Sequence, residues 1–181
     1  RTRLCRFAPF WLDVLTDAGI MPLVVLPFRS PGEVASSLAT RDGMPGAAGL
    51  LLWLRHVLDA ERDTRGLLRS FVAMDDLLND WRSALARIGR ELGLAWPSLN
   101  ETGAQAIDAF LSADLKHQNE DVDARITGWA VRAYEALRAL AGNPKSRLAQ
   151  NALDAVAAEF EQACSLFGPL IDGVEATGSP R

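Results

Sequence analysis

The chain has 181 residues, a formal net charge of −4 and an apolar fraction of 49%, enough for one globular domain and hardly for two. Its 19 basic and 23 acidic residues are well mixed, so it lacks the basic face that general nucleic-acid binding needs. No apolar run reaches the ~18 residues of a membrane span and no secretory leader is visible, so a cytoplasmic chain is expected, with Cys5 and Cys164 as reduced core thiols.

Phe7, Phe10, Trp11 and Leu15 recur at helical spacing and predict a helix from Leu4 to Asp17, closed by Ala18-Gly19. Pro22 to Phe28 is a short, nearly continuous apolar run rich in β-branched residues. It reads as a strand buried on both faces, as in a parallel sheet. Ser30-Pro31-Gly32-Glu33 is a capping box with proline at the first helical position. The helix it opens runs to about Arg41, where Gly43-Met44-Pro45-Gly46 breaks it.

A longer helix is expected over Ala47 to Arg65, with Leu50, Leu51, Leu54, Val57 and Leu58 on one side. Arg69 to Met74 reads as a second strand, and Asp75 as the cap of one helix through Leu92. Leu94 to Gly103 reads as a loop. Val122 to Leu140 and Arg147 to Phe167, joined by the Gly142-Asn143-Pro144 turn, predict an antiparallel helical hairpin. The stretch 173–181 reads as a flexible tail.

The stretch carrying chemistry runs from Leu26 to Leu38. Arg29 leaves the carboxyl end of a buried strand, where open parallel sheets bind ligands. The helix after it turns unpaired amides and partial positive charge toward the same crevice. Ser37 stands seven residues past Ser30, almost two turns on, and so lies on the same stripe. Arg29 and Ser37 are therefore the candidate cofactor-binding pair, gripping one anion. An arginine at such a place also commonly makes a structural ion pair.

This segment resembles the 3′-phosphate-binding segment of sulfotransferases that use 3′-phosphoadenosine 5′-phosphosulfate (PAPS), in which an Arg ending a strand is followed eight positions later by a Ser. Further stretches resemble the bacterial branch of that family. These are Arg3-Leu4-Cys5-Arg6 with Pro9-Phe10-Trp11, Arg41-Asp42-Gly43, Gly49 to Leu54, and Phe71-Val72-Ala73-Met74-Asp75-Asp76-Leu77-Leu78. The likeness covers Arg3 to about Leu115. It implies PAPS as co-substrate, no metal, and a hydroxyl or amine acceptor on a small molecule or carbohydrate. The family's Gly/Ser/Thr-rich phosphosulfate loop would fall upstream of Arg1, and the opening residues read as a start in mid-protein. Thr2 stands where the family has Pro, and Met74 where it has Tyr. The catalytic residues are accordingly unknown, because bond making belongs to the missing loop.

Other residues read more plainly. His56 and His117 are expected to be structural or solvent-exposed, and not general bases. Asp75-Asp76 reads as a helix cap and Asp59/Glu61/Asp63 as a solvated face, with no metal site. Trp11, Trp53, Trp81 and Trp129 fall at helical core positions.

The expected fold is helix-rich α/β. It is the later portion of a P-loop nucleotide-binding three-layer fold, with few parallel strands and a C-terminal helical hairpin. One domain spans 1–172, with its core over 1–115 and the hairpin over 120–170. The expected function is that of a sulfotransferase-like chain inactive on its own. The alternative is a non-catalytic interaction domain on the same scaffold. Unpaired strand edge over Pro22 to Phe28 would leave the chain marginally stable or make it a homo-oligomer.

Overall fold

The computed structural model of the protein describes residues 4–98, 100–111 and 124–177. Arg1 to Arg3, His117 with its polar neighbours, and the last four residues of the chain lie outside the described residues. The expected first helix is divided. Leu4–Phe7 is a 3₁₀ turn, and α1 is Ala8–Asp17 with Pro9 in its first turn, where a missing N–H matters little. No residue of α1 is buried. Phe7, Phe10, Trp11 and Val14 are 56%, 59%, 50% and 41% exposed, so Trp11 is a surface residue and not core.

Strand β1 (Leu23–Phe28) is followed by α2 (Pro31–Asp42) and α3 (Gly46–Asp63). Ser30 Oγ accepts the Glu33 N–H at 3.2 Å, and Gly43 ends α2 in the left-handed conformation, φ 65°. Gly49 lets α3 approach α2 closely, because a Cβ there would lie 3.0 Å from Ala35 Cα. Strand β2 (Leu68–Ala73) then pairs with β1 in parallel, from Leu23 opposite Leu68 to Phe28 opposite Ala73. The two strands form a two-stranded parallel sheet, with α2 and α3 as the crossover that parallel pairing requires.

The helix expected from Asp75 to Leu92 is two helices, α4 (Met74–Asn79) and α5 (Trp81–Leu92). Asp80 breaks it, with φ −151° and ψ 81°, and its carboxylate accepts the Ser83 N–H at 3.0 Å. Asp80 is therefore the cap, and Asp75 is not. A further helix, α6 (Glu101–Phe110), begins inside the expected loop, where Asn100 Oδ1 accepts the Gly103 N–H at 2.8 Å. Helices α7 (Ala124–Gly142) and α8 (Arg147–Thr177) form the expected hairpin, and α8 runs on into the stretch read as a tail.

The main core packs α3, α7 and α8 on one face of the sheet, around Phe28, Leu54, Phe71, Leu140 and Val156. Burial of each such side chain contributes about 1.5–3 kcal/mol. Helix α5 covers the other face of β2 alone, through Val72, Ala84, Ile88 and Leu92. Nothing among the described residues covers that face of β1, so Leu23 and Val25 are each 40% exposed. The strand expected to be buried on both faces is thus buried on one, because α5 reaches only across β2.

Cys164 is also exposed and not core, with Sγ 3.5 Å from Arg55 Nη2. The acidic run of α3 departs from a solvated face. Asp59 is 5% and Glu61 2% exposed. Glu61 takes the guanidiniums of Arg65 (2.5 Å) and Arg69 (2.8 Å), which leaves the buried carboxylate fully paired. Among the described residues no helix is long and apolar enough to cross a membrane.

Candidate functional site

The carboxyl end of β1 opens onto a cavity of about 540 Å³ between α2 and α3, lined among others by Phe28, Arg29, Val34, Leu38, Trp53 and His56. Its walls are dictated locally. The strand ends at Phe28, Pro31 starts α2 two residues beyond Arg29, and the chain must turn between them. Trp53 is 5% exposed, and its indole N–H donates to the Arg29 main-chain carbonyl at 3.2 Å. That bond fixes the Arg29 backbone against α3, over a sequence separation of 24 residues.

The Arg29 side chain is 31% exposed. Its Nε is buried and has no hydrogen-bond partner. Glu33 Oε2 lies 3.5 Å away, in ion contact but outside hydrogen-bond geometry. Glu33 and Ser37 are four apart on α2, one above the other. Glu33 is therefore one turn nearer the strand end than Ser37 on that stripe, and it is the Glu33 carboxylate that faces Arg29. Ser37 is half-buried and does not line the cavity, whereas its neighbour Leu38 does. The structure thus places Arg29 on the cavity and Ser37 on the adjoining stripe of α2, one turn past Glu33.

The amides at the start of α2 are largely used. Pro31 has none, the Glu33 N–H goes to Ser30 Oγ, and the Val34 N–H goes to the Ser30 carbonyl at 3.2 Å. Among the described residues this leaves Gly32 as the open donor of that turn. Arg41 also lines the cavity, paired with Asp42 at 2.8 Å.

One participant was not legible from the motifs. Tyr134, the chain's single tyrosine, comes from α7 and stacks edge-on against Phe28 at 5.8 Å. Burial raises its phenol pKa, and the Asp75 carboxylate raises it further, against the opposing charge of Arg138. Asp76 holds Arg138 at 2.9 Å. This end of the sheet therefore mixes three guanidiniums, Arg29, Arg41 and Arg138, with four carboxylates, Glu33, Asp42, Asp75 and Asp76. The signal that would have found Tyr134 is its isolation, a polar-tipped ring in an alanine-rich helix.

Met74 opens α4 directly after β2, half-buried at this same end of the sheet. His56 is half-buried on the cavity wall, on the same helix as Trp53. No group of three or more His, Cys, Asp or Glu side chains among the described residues is placed to hold a metal ion. Chemically, the site offers one guanidinium with spare donor capacity, an apolar and aromatic floor, and a carboxylate that must yield before an anion can approach. Compared with family models, with curated proteins and with solved structures, the chain matches none.

Proposed function

We propose that the chain is the later portion of a PAPS-dependent sulfotransferase-type fold, in which Arg29 seats the 3′-phosphate of the nucleotide. In this reading it contributes binding and alignment, and not the transfer chemistry itself. The observation that carries it is the buried Arg29 Nε with no hydrogen-bond partner, at the carboxyl end of a parallel strand and on the wall of a cavity. A buried guanidinium N–H without an acceptor is costly, and a phosphate oxygen would satisfy it. The eight-residue spacing to Ser37 adds support from the sequence. Ser37 would meet the same phosphate once Glu33 turns away.

Calorimetric titration of the chain with 3′,5′-adenosine diphosphate tests this. Arg29→Ala is expected to weaken binding about tenfold or more, the loss of one charge-assisted contact. Affinity that is unchanged by both Arg29→Ala and Ser37→Ala would remove the assignment.

A second reading has its own observation. The uncovered face of β1 and, separately, the exposed aromatic residues of α1 each offer apolar surface to a protein partner. Under that reading the chain is a non-catalytic interaction domain, and 3′,5′-adenosine diphosphate does not bind at all.

A further inference from the structure

The opposite end of the sheet, where β2 begins, holds a second cavity of about 820 Å³. It is lined by Arg65, Arg69, Arg90, Lys145 and Arg147 against a single acid, Glu91. Several of these charges are already matched. Glu61 takes Arg65 and Arg69, Asp154 takes Arg65 as well, and Glu91 takes Arg87 from within α5. Counting those partners, the neighbourhood holds six cations and three anions. The surplus corresponds to Arg90, Lys145 and Arg147, whose side chains have no ion pair or hydrogen bond among the described residues. All three are exposed.

Three like charges around one cavity repel, and nothing in the fold requires them there. They come from two places distant in sequence, the last turn of α5 and the α7–α8 turn. The chain as a whole carries −4, so this surplus runs against its overall balance. The first turn of α8 borders the same cavity. Ser146 takes the N–H groups of Ala149 (3.3 Å) and Gln150 (3.1 Å), leaving those of Arg147 and Leu148 at the positive end of a long helix. A phosphate group carries about two negative charges near neutral pH, so one phosphate falls short of this surplus of three and a diphosphate covers it.

We propose that this cavity is a binding site for a compact, multiply charged phosphate, a diphosphate or its ester, held by Arg90, Lys145 and Arg147. It is distinct from the Arg29 cavity, which opens at the other end of the strands. Binding here does not depend on the sulfotransferase-type reading.

Isothermal titration of the full chain with inorganic pyrophosphate is the test, with orthophosphate as the less charged comparison. Saturable binding is expected, tighter for pyrophosphate. Arg90→Ala and Arg147→Ala should each lower affinity about tenfold, and the triple variant with Lys145→Ala should abolish it. Arg132→Ala, which removes an equal charge elsewhere, should bind as the wild type does. Because the three side chains are exposed and unpaired, the triple variant should unfold at the same temperature as the wild type or higher. Absence of saturable pyrophosphate binding, or an equal loss in Arg132→Ala, would overturn the proposal.

Discussion

Arg29 Nε lies 3.5 Å from Glu33 Oε2, and this contact replaces half of a capping box. Ser30 Oγ accepts the Glu33 N–H, as the box requires, but the Glu33 carboxylate turns to the guanidinium and does not reach back to the Ser30 amide. The same side chain that signals a helix start in the sequence therefore competes with any anion for Arg29.

Removing that competitor has a definite consequence. Glu33→Gln keeps the Ser30 cap, which uses only the Glu33 backbone, and deletes the negative charge. Affinity for 3′,5′-adenosine diphosphate should rise about three- to tenfold, the range a partly exposed charge contact can carry. Titration calorimetry on the variant decides it. An affinity equal to the wild type would mean that no anion sits at Arg29.

The buried pair of Glu61 and Arg69, with the exposed Arg65 at its rim, gives a sharper stability prediction. Arg69 is 7% exposed, and besides Glu61 Oε1 it reaches the Glu61 carbonyl at 2.7 Å. Glu61→Gln leaves a guanidinium buried against a neutral amide, which should destabilise the protein by about 3–5 kcal/mol. Replacing both partners, as Glu61→Leu with Arg69→Met, should recover most of that loss, because no buried charge remains. Urea unfolding measures both variants. A loss below about 1 kcal/mol in Glu61→Gln would show the pair to be solvated.

The features readable in the sequence are those set by local chemistry. Ser30-Pro31 and Gly43 bracket α2, and the Gly142-Asn143-Pro144 turn divides the hairpin, because caps and turns depend on a few adjacent residues. The second strand, predicted over Arg69 to Met74, lies one residue earlier. The break at Asp80 was hidden by the continuous apolar stripe running from Leu77 to Leu92, which carries no mark of one residue's change to extended backbone. Exposure was less legible still. The aromatic residues of α1 repeat at core spacing, but spacing says only that they share a face, and not that another element covers it. In the candidate site, the position of Arg29 followed from the strand end. The turn of Glu33 toward it, the arrival of Tyr134 from α7 and the meeting of Arg90 with Arg147 all depend on tertiary packing.

The edge of β1 supplies a third prediction. Strand β1 pairs with β2 on one side only, and among the described residues no charge, bulge or covering element blunts its open edge. Two copies joined edge to edge through β1 would extend the sheet and pair its open N–H and C=O groups. Sedimentation should show concentration-dependent self-association of the wild type, and Val25→Lys should shift it to monomer without loss of fold. A wild type that stays monomeric at every concentration would rule this out.

The last prediction concerns acid. Two clamps of the same design dock helices in this protein. Arg82 and the Trp81 indole N–H both donate to Asp108, joining α5 to α6, and Arg132 and the Trp129 indole N–H both donate to Glu159, joining α7 to α8. The guanidinium first, and the indole second, hold Asp108 at about 2 against an ordinary 3.8, and Glu159 at about 2 against 4.5. Between those values the unfolded chain binds more protons than the folded one, so stability rises with pH through the interval. The clamps are therefore fully effective above about pH 5.5 and drain away as the pH falls toward about 2. Both carboxylates are open to solvent, so salt should shrink the effect. Urea midpoints measured at about pH 6 and about pH 3 should differ by less in Glu159→Gln than in the wild type, because the variant has lost one of the two titrating clamps. An equal acid-side drop in the variant would mean that the Glu159 clamp holds no proton-linked stability.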